Sequence, residues 1–258
     1  MKAMKLKFVQ INIYMGKYLD ALLDFLKKEK PDFISMQEVT YGDVNLTGDT
    51  NQNLFEILKE KLQLNEASAI LLKTTGNPEG AFGNVVLTPH KILKQNEIIL
   101  NEFRTMSKED FFSEKVAPTH PKKLLDALVE FEGQKIHAMS VHGAWTAPPK
   151  DTKENLRQAK LIADYLKSLG EEPFILGGDM NMPPETGVIK TINKVANNLI
   201  LGTNIKQTTH PTAHRIAPRG FLVDYVFVSK HFKPISVEAP LVTVSDHLPI
   251  VAELEFNP

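Results

Sequence analysis

Short runs of alternating or β-branched residues recur along the whole chain, while only three stretches carry helical periodicity. Strands are expected at Leu6–Ile13, Phe33–Glu38, Ala67–Lys73, Asn84–Thr88, Ile92–Leu100, Leu124–Phe131 and Lys135–Val141. Four more follow at Phe174–Gly178, Leu222–Ser229, Ser236–Ala239 and Leu248–Phe256. Helices are expected at Tyr18–Lys28, Leu54–Lys61 and Thr152–Ser168. The first presents Leu19, Leu22, Leu23 and Leu26 on one face and is stopped by Pro31. The third is opened by Asp151 or Thr152 and closed by Gly170. So few helices exclude a regular βαβ barrel. The pattern fits two packed mixed sheets with helices outside. Asn101–Lys123 and Leu201–Gly220, polar and Pro-bearing, read as surface loops near a site.

At 258 residues, with 42% hydrophobic and 24% charged residues, the chain fits one soluble domain over 1–258. The 30 basic and 31 acidic residues leave a formal charge of −1, which gives no support for strong non-specific nucleic-acid binding. The absence of cysteine excludes disulfides, thiolate metal sites and cysteine nucleophiles. The N-terminal apolar run is interrupted by Gln10 and Asn12 and reads as a strand rather than a leader. No run reaches the ~18 apolar residues of a membrane span. A cytoplasmic monomer is the expectation.

The apolar runs end in polar residues of a restricted kind. They are Asn12 in "FVQINI", Glu38 in "FISMQEV", His142 in "AMSVHGAW", and Asp179 with Asn181 in "FILGGDMN". Asp224 in "FLVDYVF" and Asp246–His247 in "VSDHLPIV" complete the series. Together they offer hard oxygen donors for a divalent cation and imidazoles for acid–base work. Asp224, placed in an apolar strand, is costly unless paired; His247, Arg215 and Arg219 are the available partners. Pairing to His247 would raise the imidazole's pKa. Asp179 and Asn181 at i and i+2 of an extended segment would face one side.

In this order the series resembles the endonuclease/exonuclease/phosphatase superfamily, which contains DNase I-like nucleases, apurinic endonucleases, sphingomyelinases and inositol polyphosphate 5-phosphatases. The resemblance runs from about Lys5 to Phe256. It implies an α/β fold, a DNase I-like four-layer α/β sandwich with two mixed β-sheets face to face and helices on the outside. It also implies a Mg²⁺- or Mn²⁺-dependent hydrolase of phosphate esters. By resemblance Glu38 is the principal metal ligand, Asn12 a ligand or the group holding Glu38, and Asp246 a third group near the metal. Asp179 orients or deprotonates the attacking water, and Asn181 holds that water or a phosphate oxygen. His142 donates to the phosphate or leaving oxygen. His247, oriented by Asp224, contacts the scissile phosphate.

Gly83 and Asn84 match a block lining the site, but Thr88-Pro89-His90 replaces the Ser-Arg that follows it in relatives. His120, Lys122 and Lys123 stand where relatives place basic residues facing substrate. His210 and His214 have metal-ligand spacing only on a helix, which Pro211 opposes. Trp145, the only tryptophan, either stacks on a base or headgroup or packs. The expected substrate is a phosphodiester, nucleic acid among the candidates. A lipid or inositol phosphatase, or a sphingomyelinase-like hydrolase, is the alternative. An inactive binding module is remote because every expected polar position is filled. A zinc enzyme lacks His-x-x-x-His on a helix or cysteine support.

Overall fold

The computed structural model describes residues 3–42, 53–75 and 80–258. In chain order the elements are β1 (Met4–Asn12), α1 (Leu19–Glu29), β2 (Phe33–Tyr41), α2 (Leu54–Leu62), β3 (Asn65–Thr74), β4 (Gly80–Thr88) and β5 (Lys91–Asn101). Then come β6 (Thr105–Met106), α3 (Lys108–Phe112), β7 (Lys122–Phe131), β8 (Gln134–His142), α4 (Lys153–Ser168) and β9 (Phe174–Asp179). The chain closes with α5 (Gly187–Ile192), β10 (Asn197–Asn198), β11 (Asp224–Val228), β12 (Phe232–Glu238) and β13 (Ile250–Phe256). One sheet has the order β12-β13-β1-β2-β4-β3-β6, the other β10-β11-β9-β8-β7-β5. Both mix parallel and antiparallel pairs, as expected for the α/β sandwich.

Strand β1 shows how the layers form. Its side chains alternate, so Phe8 joins the core between the sheets while Val9 and Ile11 join a second core under α1 and α2. Leu22, Leu23, Leu26, Leu54 and Leu58 cover that outer face. With both faces buried, the strand reads as a continuous apolar run. Gln10 and Asn12 share the parity of Phe8, so they enter the space between the sheets.

Strand β2 begins with the same alternation, Phe33 inward and Ile34 and Met36 outward. Continued, it would put Glu38 outside. Instead Met36 pairs with Val85 and Val39 with Gly83, so two residues oppose one and a bulge results. Val39 resumes the outer face, and Glu38 turns into the cleft with a φ of +62°. That backbone region is strained for a non-glycine residue. Strand β3 also slips, between Ile70 and Leu72, beside the same Gly83. A Cβ on Gly83 would lie 2.3 Å from the Ala69 carbonyl oxygen, a backbone atom with no room to rotate away. Gly83→Ala is therefore expected to cost about 1–3 kcal/mol of stability. Because the bulge aims Glu38, activity should fall with it; denaturant melts and an esterase assay check both.

Several elements differ from the sequence reading. Strand β11 begins at Asp224, so that residue lies at the strand's mouth rather than within it. Asn101–Lys123 is not plain loop: it holds β6, α3 and a 3₁₀ turn at Ala117–Thr119. Leu201–Gly220 does consist of turns and irregular chain. Helix α5 was not expected; Asp151, read as a cap for α4, instead accepts from Gly187 N at 2.7 Å and Val188 N at 3.2 Å. Thr152 caps α4 in a reciprocal box with Asn155.

Far from the cleft, His137 Nδ1 lies 2.8 Å from Asp126 Oδ2 and its Nε2 2.8 Å from Glu172. Burial lowers its pKa, but the hydrogen bonds and charges of Asp126 and Glu172 outweigh this and raise it. A raised histidine contributes stability that is complete below the unfolded-state pKa and is lost as pH rises through the folded one. The stability gap between wild type and His137→Gln should accordingly shrink as pH climbs above about 6.5. Urea titrations across that range would show it, and a gap that widens with pH would refute the assignment.

Candidate active site

The two sheets bring their polar strand ends to one edge. Strands β1 and β2 are parallel, as are β8 and β9, so Asn12, Glu38, His142 and Asp179 emerge together. Strand β11 runs antiparallel to β9 with Asp224 opposite Asp179. Strand β13 is antiparallel to β1 with Ile250 opposite Gln10, which carries Asp246 and His247 to the same edge. The result is a cleft of about 320 Å³ lined by seven of the eight expected residues. Asp224, fully buried, sits behind it.

Asp179 is the hub. Its Oδ2 accepts from Asn12 Nδ2 at 3.0 Å, with His142 Nε2 at 3.7 Å and His247 Nε2 at 3.9 Å. Asn12 spends its other amide hydrogen on Glu38 Oε1 at 3.1 Å, and its Oδ1 accepts from Tyr14 N. Asp179 Oδ1 accepts from Asn181 N at 2.9 Å. This turn puts Asn181 at a φ of +55°, so Asn181 reaches the cleft by a left-handed bend rather than by extended alternation.

Asp224 Oδ2 lies 2.8 Å from His247 Nδ1, and Asp224 makes no ion pair with Arg215 or Arg219. Burial would lower the His247 pKa, but Asp224, Asp179 and Asp246 together hold it well above the usual value. His142 goes the other way: burial first, then Lys122, His247 and His120, depress it far below. The two imidazoles of one cleft are thus pushed in opposite directions, His247 toward its charged form and His142 toward its neutral one. Burial and the neighbouring Asp224 carboxylate raise Asp179. Glu38 is pushed up to about 7 by burial and the repulsion of Asp246. Asp246 is itself raised, chiefly by burial.

The sequence reading passed over a buried layer beneath the cleft. Gln10 and Gln37 exchange side-chain hydrogen bonds at 2.6 and 3.1 Å, and Gln37 also reaches Ser35 and Ser140. Gln10 Nε2 holds Asp224 Oδ1 at 3.3 Å, completing that carboxylate's shell opposite His247. Two amides inside apolar strands, at the inward parity of Asn12, were the available signal.

Of the three basic residues near residue 122, Lys122 is 5% exposed, lines the cleft, and is brought down to about 8 by burial against the pull of Asp179 and Glu38. His120 also lines it, stacked on Phe111. Lys123 does not; alternation turns it away to Glu97 at 2.6 Å. His214 lies at the rim with its Nε2 3.9 Å from Asp246, whereas His210 accepts from Thr212 N and Ala213 N and braces its own turn.

The donor set fits a hard divalent cation. Glu38 and Asp246 face each other's charge, and among the described residues four carboxylates (Glu38, Asp179, Asp224, Asp246) are met by only His247 and Lys122 as cations. Magnesium takes one or two carboxylates with waters and substrate oxygens. Two mixed sets, Asp179-Asp224-His247 and His214-Asp246-His247, also have close donor atoms. In both, Asp224 holds the His247 Nδ1, so the ring could offer only its Nε2 to an ion.

The sequence matches the endonuclease/exonuclease/phosphatase family over residues 9–247, and the chain belongs to that family. No curated protein matches it. Similar solved structures include an endonuclease/exonuclease/phosphatase from Bacteroides vulgatus, with TM-score 0.74 and 19% identity over 98% of this chain and 100% of that one. A mannosyl-6-phosphatase of Bacteroides thetaiotaomicron VPI-5482 has TM-score 0.72 and 14% identity, covering 97% of this chain and 100% of that one. TDP2 of D. rerio, complexed with a single-strand DNA product, has TM-score 0.64 and 17% identity over 97% and 98%. No helix among the described residues is long and apolar enough to cross a membrane.

Proposed function

We propose that this chain is a Mg²⁺- or Mn²⁺-dependent phosphodiesterase. The convergence of Asn12, His142 and His247 on Asp179 Oδ2 carries the reading. Glu38 and Asp246, with Asn12 steadying Glu38, would hold the cation, which supplies charge neutralisation at the phosphate when bound. Asp179, its basicity raised by burial, accepts a proton from the attacking water, and Asn181 orients that water or a phosphate oxygen. The neutral His142 donates a hydrogen bond to the phosphate or the leaving oxygen. Charged His247, fixed by Asp224 and Gln10, offsets the negative charge that develops as the P–O bond breaks. Positioning and electrostatics of this kind account for most phosphoryl-transfer catalysis.

A diester is favoured because the catalytic groups lie between two arms. One arm carries Leu72, Phe82, Phe111 and Phe112 together with His120 and Lys122; the other opens past Trp145 toward Arg215. An ester with substituents on both sides fills both arms, whereas a monoester leaves one empty. Hydrolysis of bis-(p-nitrophenyl) phosphate and p-nitrophenyl phosphate with Mg²⁺ and Mn²⁺ tests this. Metal-dependent diester cleavage is expected to dominate, and a preference for the monoester would move the reading to the phosphatase alternative.

A further inference from the structure

The second arm leads into a side pocket of about 640 Å³, and Asn181 and His247 line both it and the catalytic cleft. A group filling it would lie directly beside the scissile phosphate, within reach of one of its ester substituents. Its walls are Trp145, Ala147, Pro148 and Phe221, with Arg215 and Arg219 exposed beside them. These are two of the chain's four arginines. Neither makes an ion pair or side-chain hydrogen bond among the described residues; the Arg215 guanidinium lies 5.7 Å from the Trp145 ring centroid. Asp224, the carboxylate that could have claimed them, is taken by His247 and Gln10.

Free guanidinium groups beside a tryptophan suit a flat ring carrying an anionic group: the indole stacks, and the planar forks bind phosphate oxygens. The pocket's hydroxyls are already spent. Thr146 Oγ1 donates to Pro148 O at 3.0 Å and accepts from Lys150 N at 3.1 Å. Thr209 Oγ1 accepts from Phe221 N at 2.9 Å and donates to Phe221 O. Little is left to recognise the many hydroxyls of a sugar or inositol. Resting on the phosphodiesterase reading, we infer that this pocket takes a nucleotide unit, its base against Trp145 and a second phosphate, beyond the scissile one, on Arg215 and Arg219.

Trp145 is the only tryptophan and lines both this pocket and the neighbouring cleft, so its fluorescence reports on a ring bound at their junction, and the arginine variants assign it to the pocket. The titration is done with Mg²⁺ on the Asp179→Asn variant, which needs no turnover, using adenosine 3′,5′-bisphosphate, ribose 5-phosphate and mannose 6-phosphate. The bisphosphate should quench Trp145 and bind at least about tenfold tighter than either sugar phosphate. The double variant Arg215→Ala/Arg219→Ala, at exposed positions, should lose about tenfold or more in bisphosphate affinity while adenosine still quenches. A single-stranded trinucleotide binding more tightly than the bisphosphate would assign the unit to a nucleic-acid chain, and equal affinity to a free nucleotide. Sugar phosphates binding as tightly as the bisphosphate, or no quench by any ring compound, would overturn the inference. Quenching without diester hydrolysis by wild type would sink the phosphodiesterase reading alone; hydrolysis without quenching would sink the pocket alone.

Discussion

Asp179→Asn is expected to lower kcat/KM for bis-(p-nitrophenyl) phosphate by about 10²–10⁴-fold while leaving the fold intact. The substitution keeps shape and removes the proton acceptor. Asp179 is 1% exposed and receives two donors, Asn12 Nδ2 and Asn181 N, on different oxygens. An asparagine offers one oxygen, so one of those donors loses its acceptor whichever way the amide is turned. That loss costs on the order of 1 kcal/mol. It is offset because a buried carboxylate facing Asp224 disappears. The melting temperature should therefore move by only a few degrees, so that a lost rate reads as lost chemistry. Activity above about a tenth of wild type in a well-folded Asp179→Asn would remove Asp179 from the role of base.

What the sequence made legible follows from how local each constraint is. That Asp224 needs a partner could be anticipated because it falls in an apolar run; the choice of His247 over Arg215 and Arg219 came from the family resemblance, and the structure places His247 Nδ1 at 2.8 Å. The layers could be anticipated because β1 and β2 are apolar on both faces and so need cover on both sides. Other features depend on pairing between distant strands. Glu38 points into the cleft only because β2 slips by one residue against β4 at Gly83. No periodicity in "FISMQEV" announces that slip, and simple alternation would send the side chain outward. Lys122 and Lys123 illustrate the same limit: alternation says that one faces in, but the register against β5 and β8 decides which. Asn181 reached its expected place by a different backbone path, since the turn onto Asp179 Oδ1 is a side-chain effect that strand parity ignores. Gln10 and Gln37 carried a readable signal, polar amides at the inward parity, but nothing in the sequence said they would meet each other.

Glu38→Gln should separate metal binding from folding. Glutamine keeps the Oε1 that accepts from Asn12 at 3.1 Å, so the bulge retains its tether. It removes a charge that burial and Asp246 already oppose. Without metal, then, the variant should melt no lower than wild type, and higher if the strain between the carboxylates is relieved. With added Mg²⁺ or Mn²⁺ the order should reverse. A cation bound only by the native state raises stability by RT ln(1 + [M]/Kd), so wild type gains with metal concentration. Loss of a direct carboxylate should weaken the cation by at least the ~10–100-fold seen when an outer partner is removed, flattening that gain. Activity should fall in parallel and recover partly at high metal. Melting curves of both proteins across a metal titration provide the check. Equal metal-induced shifts in the two would mean that the cation is held elsewhere, with His214, Asp246 and His247 as the next set to test. A variant that melts well below wild type without metal would instead give Glu38 a structural role, with the bulge relying on its charge rather than on the Asn12 hydrogen bond.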